Sequence, residues 1–174
     1  MKHRRQKKRL SLGLPRRTIP VVWAVVVVVI QILLPWAVSQ LGPHLGWVDG
    51  RPGVWHLMGL IGVGLGISLY TWCLAVHFKD YPSSVRLGFS PPQLVVAGPY
   101  RFTRNPMYQA GLLTWLGWMF FFGSPAVLVA LVLLGALIAF YVVPLEERQL
   151  EAMFGEEYVV YRRSVPRWLG KVSH

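Results

Sequence analysis

Long apolar runs alternate with short polar stretches along this chain. The first run, 19–38, has a valine-rich centre at 25–29 and Pro35 near its end. The second, 54–78, is long enough to cross a bilayer with some tilt. A third, 107–143, exceeds one crossing and is interrupted at Gly123-Ser124-Pro125, a turn former followed by a proline suited to a helix start. At ~1.5 Å per residue, 107–122 and 126–143 rise about 24 and 27 Å, close to a hydrocarbon core of roughly 30 Å. The pattern predicts an all-α integral membrane protein with four transmembrane helices, the last two forming a tight hairpin. Beyond them, 146–165 is free of proline and repeats Leu150, Phe154, Tyr158 and Tyr161 at helical spacing. Its other faces carry Glu146, Glu147, Glu151, Glu157, Arg162 and Arg163. Acids first and bases later suit the helix dipole, so a C-terminal amphipathic cytoplasmic helix is expected, with a break at Gly155.

Composition agrees with that class. Of 174 residues 54% are hydrophobic and 14% charged, against roughly a quarter charged in soluble domains. The single cysteine, Cys73, excludes an internal disulfide and reads as a small buried apolar residue. Residues 1–17 hold Lys2, Arg4, Arg5, Lys7, Lys8, Arg9, Arg16 and Arg17 without one acid. The 79–106 loop carries Lys79, Arg86, Arg101 and Arg104 against Asp80 alone, whereas the 39–53 loop has only Asp49 and Arg51. The positive-inside rule then puts both termini and the 79–106 loop in the cytoplasm. Eight of the eighteen Lys and Arg residues behind the +11 charge lie in this tail, which reads as a topology determinant touching anionic lipid rather than a nucleic-acid arm. No A-x-A-like cleavage site follows 19–34, so the first run is expected to stay as a helix. The organisation expected is a basic tail, 1–17, and one membrane domain, 18–174, with a bacterial inner membrane as its setting.

Chemistry concentrates in two places. The segment 98–108 packs Pro99, Tyr100, Arg101, Arg104, Asn105, Pro106 and Tyr108 directly before an apolar run, and Glu146-Glu147-Arg148 closes the same apolar region. Polar groups at a membrane border are costly to bury without partners. Both clusters fall on the cytoplasmic side, as a site for a polar ligand would. Other features have plainer readings. Gly62 and Gly66 form G-x-x-x-G inside an apolar run with no strand before it, which suits close helix packing rather than dinucleotide binding. His56 and His77 lie at opposite ends of one predicted helix, and no zinc or iron spacing occurs, so no metal is expected. His44 and His56 are assigned to the outer interface, and the eight tryptophans to an aromatic belt.

The pairing of G-P-Y-x-x-x-R-N-P-M-Y (98–108) with E-E-x-x-L-x-x-x-F-G-E-E-Y-x-x-Y-x-x-x-V-P-R (146–167) resembles the isoprenylcysteine carboxyl methyltransferase family. That family sits within a wider set of integral-membrane, S-adenosylmethionine-dependent methyltransferases that includes phospholipid N-methyltransferases. The resemblance covers about 85–169, and implies methyl transfer from S-adenosylmethionine to a lipid or lipophilic small molecule. It implies a cofactor pocket of Gln93, Leu94, Val95, Tyr100, the element Asn105, Pro106, Met107 and Tyr108, and the acidic Glu146. Arg104, Asn105, Tyr108 and Glu147 are the implied catalytic candidates, with Glu147, Tyr108 or His77 open as proton acceptors. Two positions depart from the family: Asn105 stands where its histidine is usual, and Val142 where the eukaryotic enzymes place a substrate-contacting arginine. A carboxylate clamp at that place would have to come from Arg101 or Arg104. Met107, Trp115 and Met119, at about helical spacing, read either as helix packing or as a lateral access for the acceptor. The alternatives are a reductase similar to the sterol reductases, which carry an Arg-His-x-x-Tyr element, and a non-catalytic four-helix membrane protein.

Overall fold

The computed structural model describes residues 19–80 and 93–170. The basic tail, the 81–92 part of the basic loop with Arg86, and 171–174 lie outside the described residues. Helix α1 occupies 19–39, its middle turn, Val29–Leu33, wound as a π-helix. Helix α2 comprises Val54–Leu57 and Gly59–Asp80. A single 3₁₀ turn, Gly98–Arg101, precedes α3, Pro106–Phe122. Helix α4, Pro125–Phe154, contains a second π turn at Ile138–Val142, and α5 is Glu156–Ser164. Among the described residues the only β pairing is an isolated bridge between Val48 and Arg51.

Three helical stretches are long and apolar enough to cross a membrane: Val21–Ser39, Val54–Lys79 and Pro125–Phe154. Their outward positions, among them Val25, Ile61, Leu65, Val132 and Phe140, are exposed and apolar, a surface made for lipid rather than water. Helix α3 has 17 residues and packs against all three. Its most extensive partner is α2, and glycine makes that possible. Gly59, Gly62 and Gly66 face Gly117, Thr114 and Ala110, and a Cβ at Gly62 would stand 3.1 Å from Gly117 Cα. Close backbone approach of this kind is how helices pack where lipid removes the hydrophobic drive.

Both π turns precede a proline, and the reason is chemical. Pro35 has no N–H to give to Gln31 O, four residues back. The indole of Trp118 donates to that carbonyl instead (2.7 Å), and Trp115 donates to Ile30 O (3.2 Å). In α4 the π turn before Pro144, closed by Val143 N–H on Ile138 O, absorbs the missing donor, so the helix does not stop. The helix that holds the last apolar run therefore continues past Val143 to Phe154. Glu146 and Glu147 ride on the same helix as the apolar run, and α4 ends at Gly155 (φ 56). The tract 146–165 is thus divided between α4 and α5, with its break at the expected glycine. Trp115 and Trp118 tie α3 to α1 rather than joining an interfacial belt. Trp36 and Trp55 are exposed near the far end.

The α3–α4 hairpin turns where anticipated. Gly123 takes the left-handed conformation (φ 56), Ser124 Oγ accepts from Val127 N–H (3.4 Å), and Pro125 opens α4. The 39–53 loop is bonded to this hairpin through Leu45 N–H to Gly123 O (3.0 Å) and Trp47 Nε1 to Phe121 O (3.1 Å). His56 serves the same end: Nδ1 accepts from Gly53 N–H, so Nε2 carries the proton and donates to Leu45 O (2.9 Å). At the opposite end α5 folds back, burying Tyr158, Tyr161 and Val165 against Leu94, with Leu150 and Phe154 packed alongside.

Candidate active site

The two polar clusters meet at that second end. Thr103 and Asn105, just before α3, bind the strand-like tail after α5. Thr103 Oγ1 and Asn105 Nδ2 both donate to Arg167 O (3.1 and 2.9 Å), and Arg104 donates through its backbone N–H to Pro166 O (2.9 Å) and through Nε to Val165 O (3.0 Å). Glu147, brought up by α4, receives Arg104 Nη1 at 2.6 Å and Arg167 through Nε (3.0 Å) and Nη2 (2.5 Å). Arg104 Nη1 also donates to Tyr158 Oη (3.2 Å). Two guanidinium groups on one carboxylate, with planar two-point geometry from Arg167, make a strong closure. This latch fastens the C-terminal segment to α3 and α4, and Arg104, Glu147 and Tyr158 also line a cavity.

The cavity has a volume of about 740 Å³, within the range of small-molecule sites. At the latch end its wall includes Leu94, Val95, Tyr100, Asn105, Pro106, Met107, Tyr108 and Glu146. Deeper, the wall passes to α1, α3 and α4 through Ile30, Leu112, Trp115, Leu134 and Ile138. Tyr108 Oη donates to Glu146 Oε2 (3.0 Å), which holds a carboxylate facing the space. Tyr100 Oη lies 3.0 Å from His77 Nε2 with the rings edge to face, and Tyr100 O accepts from Tyr161 Oη (2.8 Å). Burial pushes the Tyr100 phenol well above its ordinary value, and burial raises Tyr161 too. Tyr158 is also raised by burial, against the opposing effect of its Arg104 partner. These phenols are neutral hydrogen-bonding groups at physiological pH. The Glu147 hydrogen bonds raise Arg167 further above the usual arginine range.

Several expectations change. Gln93 is exposed and stands outside the cavity wall. Arg101 is exposed and also outside it; Arg104 lines the cavity while bonded to Glu147, and Val142 lines it as an apolar residue. Both oxygens of Glu147 are held by arginines. Met107 and Trp115 line the cavity, while Met119 does not. Arg167, Tyr158 and Tyr161 were not singled out beforehand as site residues. Their signal was the V-P-R and Y-x-x-Y spacing of the second motif, whose meaning depends on contacts 20 residues away for the Arg167 side chain and 54 and 61 for the tyrosines. Among the described residues no group of three His, Cys, Asp or Glu side chains is placed to hold a metal ion.

A family model described as phospholipid methyltransferase matches residues 54–157, a stretch containing α2, α3, α4 and both polar clusters. The chain belongs to the phospholipid methyltransferase family. It is 32% identical over 157 residues to a cobalt–zinc–cadmium resistance protein of Cupriavidus metallidurans, covering 87% of this chain and 63% of that protein. It is 27% identical over 154 residues to a methanethiol S-methyltransferase of Crocosphaera subtropica (81% of this chain, 58% of that one). A methanethiol S-methyltransferase of Pseudomonas deceptionensis is 26% identical over 146 residues (79% and 53%). The chain thus spans between about half and two thirds of the length of these relatives. No solved structure matches it.

Proposed function

We propose that this phospholipid methyltransferase family member is an integral-membrane enzyme that moves a methyl group from S-adenosylmethionine to a lipophilic acceptor. One observation carries the reading: a single cavity joins the Tyr108–Glu146 pair at its polar end to an apolar chamber walled by membrane helices. A water-borne ligand and a bilayer-borne ligand can meet there. In this reading α3 is the fourth crossing, one membrane domain spans 18–174, and the latch end faces the cytoplasm of a bacterial inner membrane.

The residues fit the cofactor. The Glu146 carboxylate, oriented by Tyr108, suits ribose hydroxyls or an ammonium. Leu94, Val95 and Tyr100 offer apolar and aromatic faces to an adenine, and Pro106 and Met107 continue that wall. When bound, the cofactor supplies a methyl group already made electrophilic by its sulfonium. The protein's share is then positioning and exclusion of water. Arg104, Asn105 and Glu147 serve by holding the C-terminal segment closed, a positioning role. Tyr108 and His77 stand in the cavity wall, where a proton from a protic acceptor would be taken up. Val142 leaves no charge for an acceptor carboxylate, which argues against isoprenylcysteine. The methanethiol S-methyltransferase relatives bring a thiol sulfur forward as acceptor atom.

Calorimetric titration of S-adenosylmethionine and S-adenosylhomocysteine into detergent-purified protein tests this. Saturable binding, weakened at least about tenfold in Glu146→Ala as expected for loss of a charge-assisted contact, is the expected outcome. Folded protein that binds neither compound, with and without added lipid, would show instead a non-catalytic membrane protein.

A further inference from the structure

Among the described residues, two buried side-chain polar atoms have no hydrogen-bond partner, Trp23 Nε1 and Gln31 Oε1, and both residues line the cavity. Buried polar atoms are nearly always paired, so each exception calls for an explanation. Here both residues stand in the wall of that cavity, yet neither atom is itself exposed to the space, so a ligand entering it meets them once the side chain turns toward it.

Gln31 is the better defined of the two. It is 8% exposed and sits in the π turn of α1. Its backbone is pinned, since Trp118 donates to Gln31 O and Trp115 to the neighbouring Ile30 O. Its amide lies against Gly111, where a Cβ would stand 2.8 Å from Nε2. Gly111 is three residues beyond Tyr108 on α3, about 4.5 Å deeper along the axis. The amide therefore stands where the polar end of the cavity gives way to its apolar chamber. A polar residue in a membrane helix often serves as glue between helices, but glue has a partner on the next helix and Gln31 Oε1 has none.

We propose that Gln31 recognises the acceptor. Its amide oxygen accepts a hydrogen bond from an O–H, N–H or S–H on the head of a lipophilic acceptor whose tail occupies the apolar chamber. An ether, a thioether or an ionised carboxylate has no such donor and leaves Oε1 unpaired. The inference rests on the methyltransferase reading for the nature of the ligand, and it narrows the acceptor class to protic head groups. Gly111 is part of the arrangement, because only the absence of a side chain there lets the amide reach its position.

The test uses two probes of equal size, 1-octanol and heptyl methyl ether, which differ in the hydrogen-bond donor. Each is titrated into detergent-purified full-length protein with S-adenosylhomocysteine present, and affinities are corrected for partition into detergent. The wild type should bind 1-octanol at least about fivefold more tightly than the ether, the size of one buried hydrogen bond. Gln31→Leu should bind the two equally while keeping its affinity for S-adenosylhomocysteine. Gly111→Ala, which displaces the amide without removing it, should narrow the preference too, and it decides the matter should Gln31→Leu fail to fold. Equal affinities in the wild type, no binding of either probe, or a preference that survives in the folded variants would overturn the proposal. Failure to bind S-adenosylhomocysteine at all would instead strike the methyltransferase reading, and the probe preference can be measured without it.

Discussion

Glu146 and Glu147 are neighbours in sequence and end in different chemistry. Consecutive helical positions point about 100° apart, so Glu146 meets Tyr108 in the cavity while Glu147 turns into the two-arginine latch. The Arg104 and Glu147 side chains are only 10% and 11% exposed. Removing one partner of a buried pair strands the other charge at a cost of about 3–5 kcal/mol. Glu147→Ala should therefore lower thermal stability in detergent strongly and open 165–167 to proteolysis. Arg167, 41% exposed at its side chain, is better solvated, and Arg167→Ala should cost no more than about 1 kcal/mol. Retained stability in Glu147→Ala would show that the latch contributes little to closure. Tyr108→Phe should leave the unfolding temperature near that of the wild type yet weaken S-adenosylmethionine binding about tenfold, because the hydrogen bond it removes is made to a carboxylate. Unchanged affinity would take Tyr108 out of the cofactor site.

At the scale of elements, what was legible in the sequence is what depends on nearby residues. The apolar runs, the Gly123-Ser124-Pro125 turn and the Gly155 break are each set within a few positions, and each forms where the pattern puts it. The passage of α1 and α4 through Pro35 and Pro144 could not be read the same way. In α1 it depends on indole donors 85 and 87 residues away, and no local pattern announces them. The candidate site divides likewise: the family resemblance points to Tyr108 and Glu146, which the fold joins by a hydrogen bond, whereas the engagement of Arg104, Asn105 and Glu147 by the 165–167 segment is visible only in the fold. The glycine stripe shows a local pattern with a distant meaning, and it can be tested directly. A Cβ at Gly117 would run into the backbone of Gly59 and Val63, while at Gly64 it would meet nothing within 4 Å. Gly117→Ala should force α2 and α3 apart and cost at least about 1–3 kcal/mol, seen as a lower unfolding temperature. Gly64→Ala should be neutral or slightly stabilising, since alanine is the better helix former. Equal effects at the two positions would mean that α2–α3 contact does not limit stability.

For the whole molecule the open quantity is the number of crossings, and geometry and charge make a joint prediction about it. Helix α3 begins beside the latch and ends at Gly123, whose carbonyl accepts from Leu45 in the 39–53 loop. It thus runs from one end of the molecule to the other, and its 17 residues give a rise of about 25 Å, enough to carry it through most of the hydrocarbon layer. If α3 crosses, Arg51 and Arg163 lie on opposite faces of the membrane; with three crossings they would share a face. The positive-inside rule adds the sign, placing Arg163 with the basic loop in the cytoplasm. Both side chains are exposed, and Cys73, the one native thiol, is fully buried and can be replaced by alanine to give a clean background. In intact bacterial cells a membrane-impermeant maleimide should then label Arg51→Cys at once and Arg163→Cys only after lysis. Labelling of both in intact cells would reduce the crossings to three and place the latch outside, away from any cytoplasmic supply of S-adenosylmethionine. The reverse pattern would keep four crossings but invert them, with the same consequence for the cofactor.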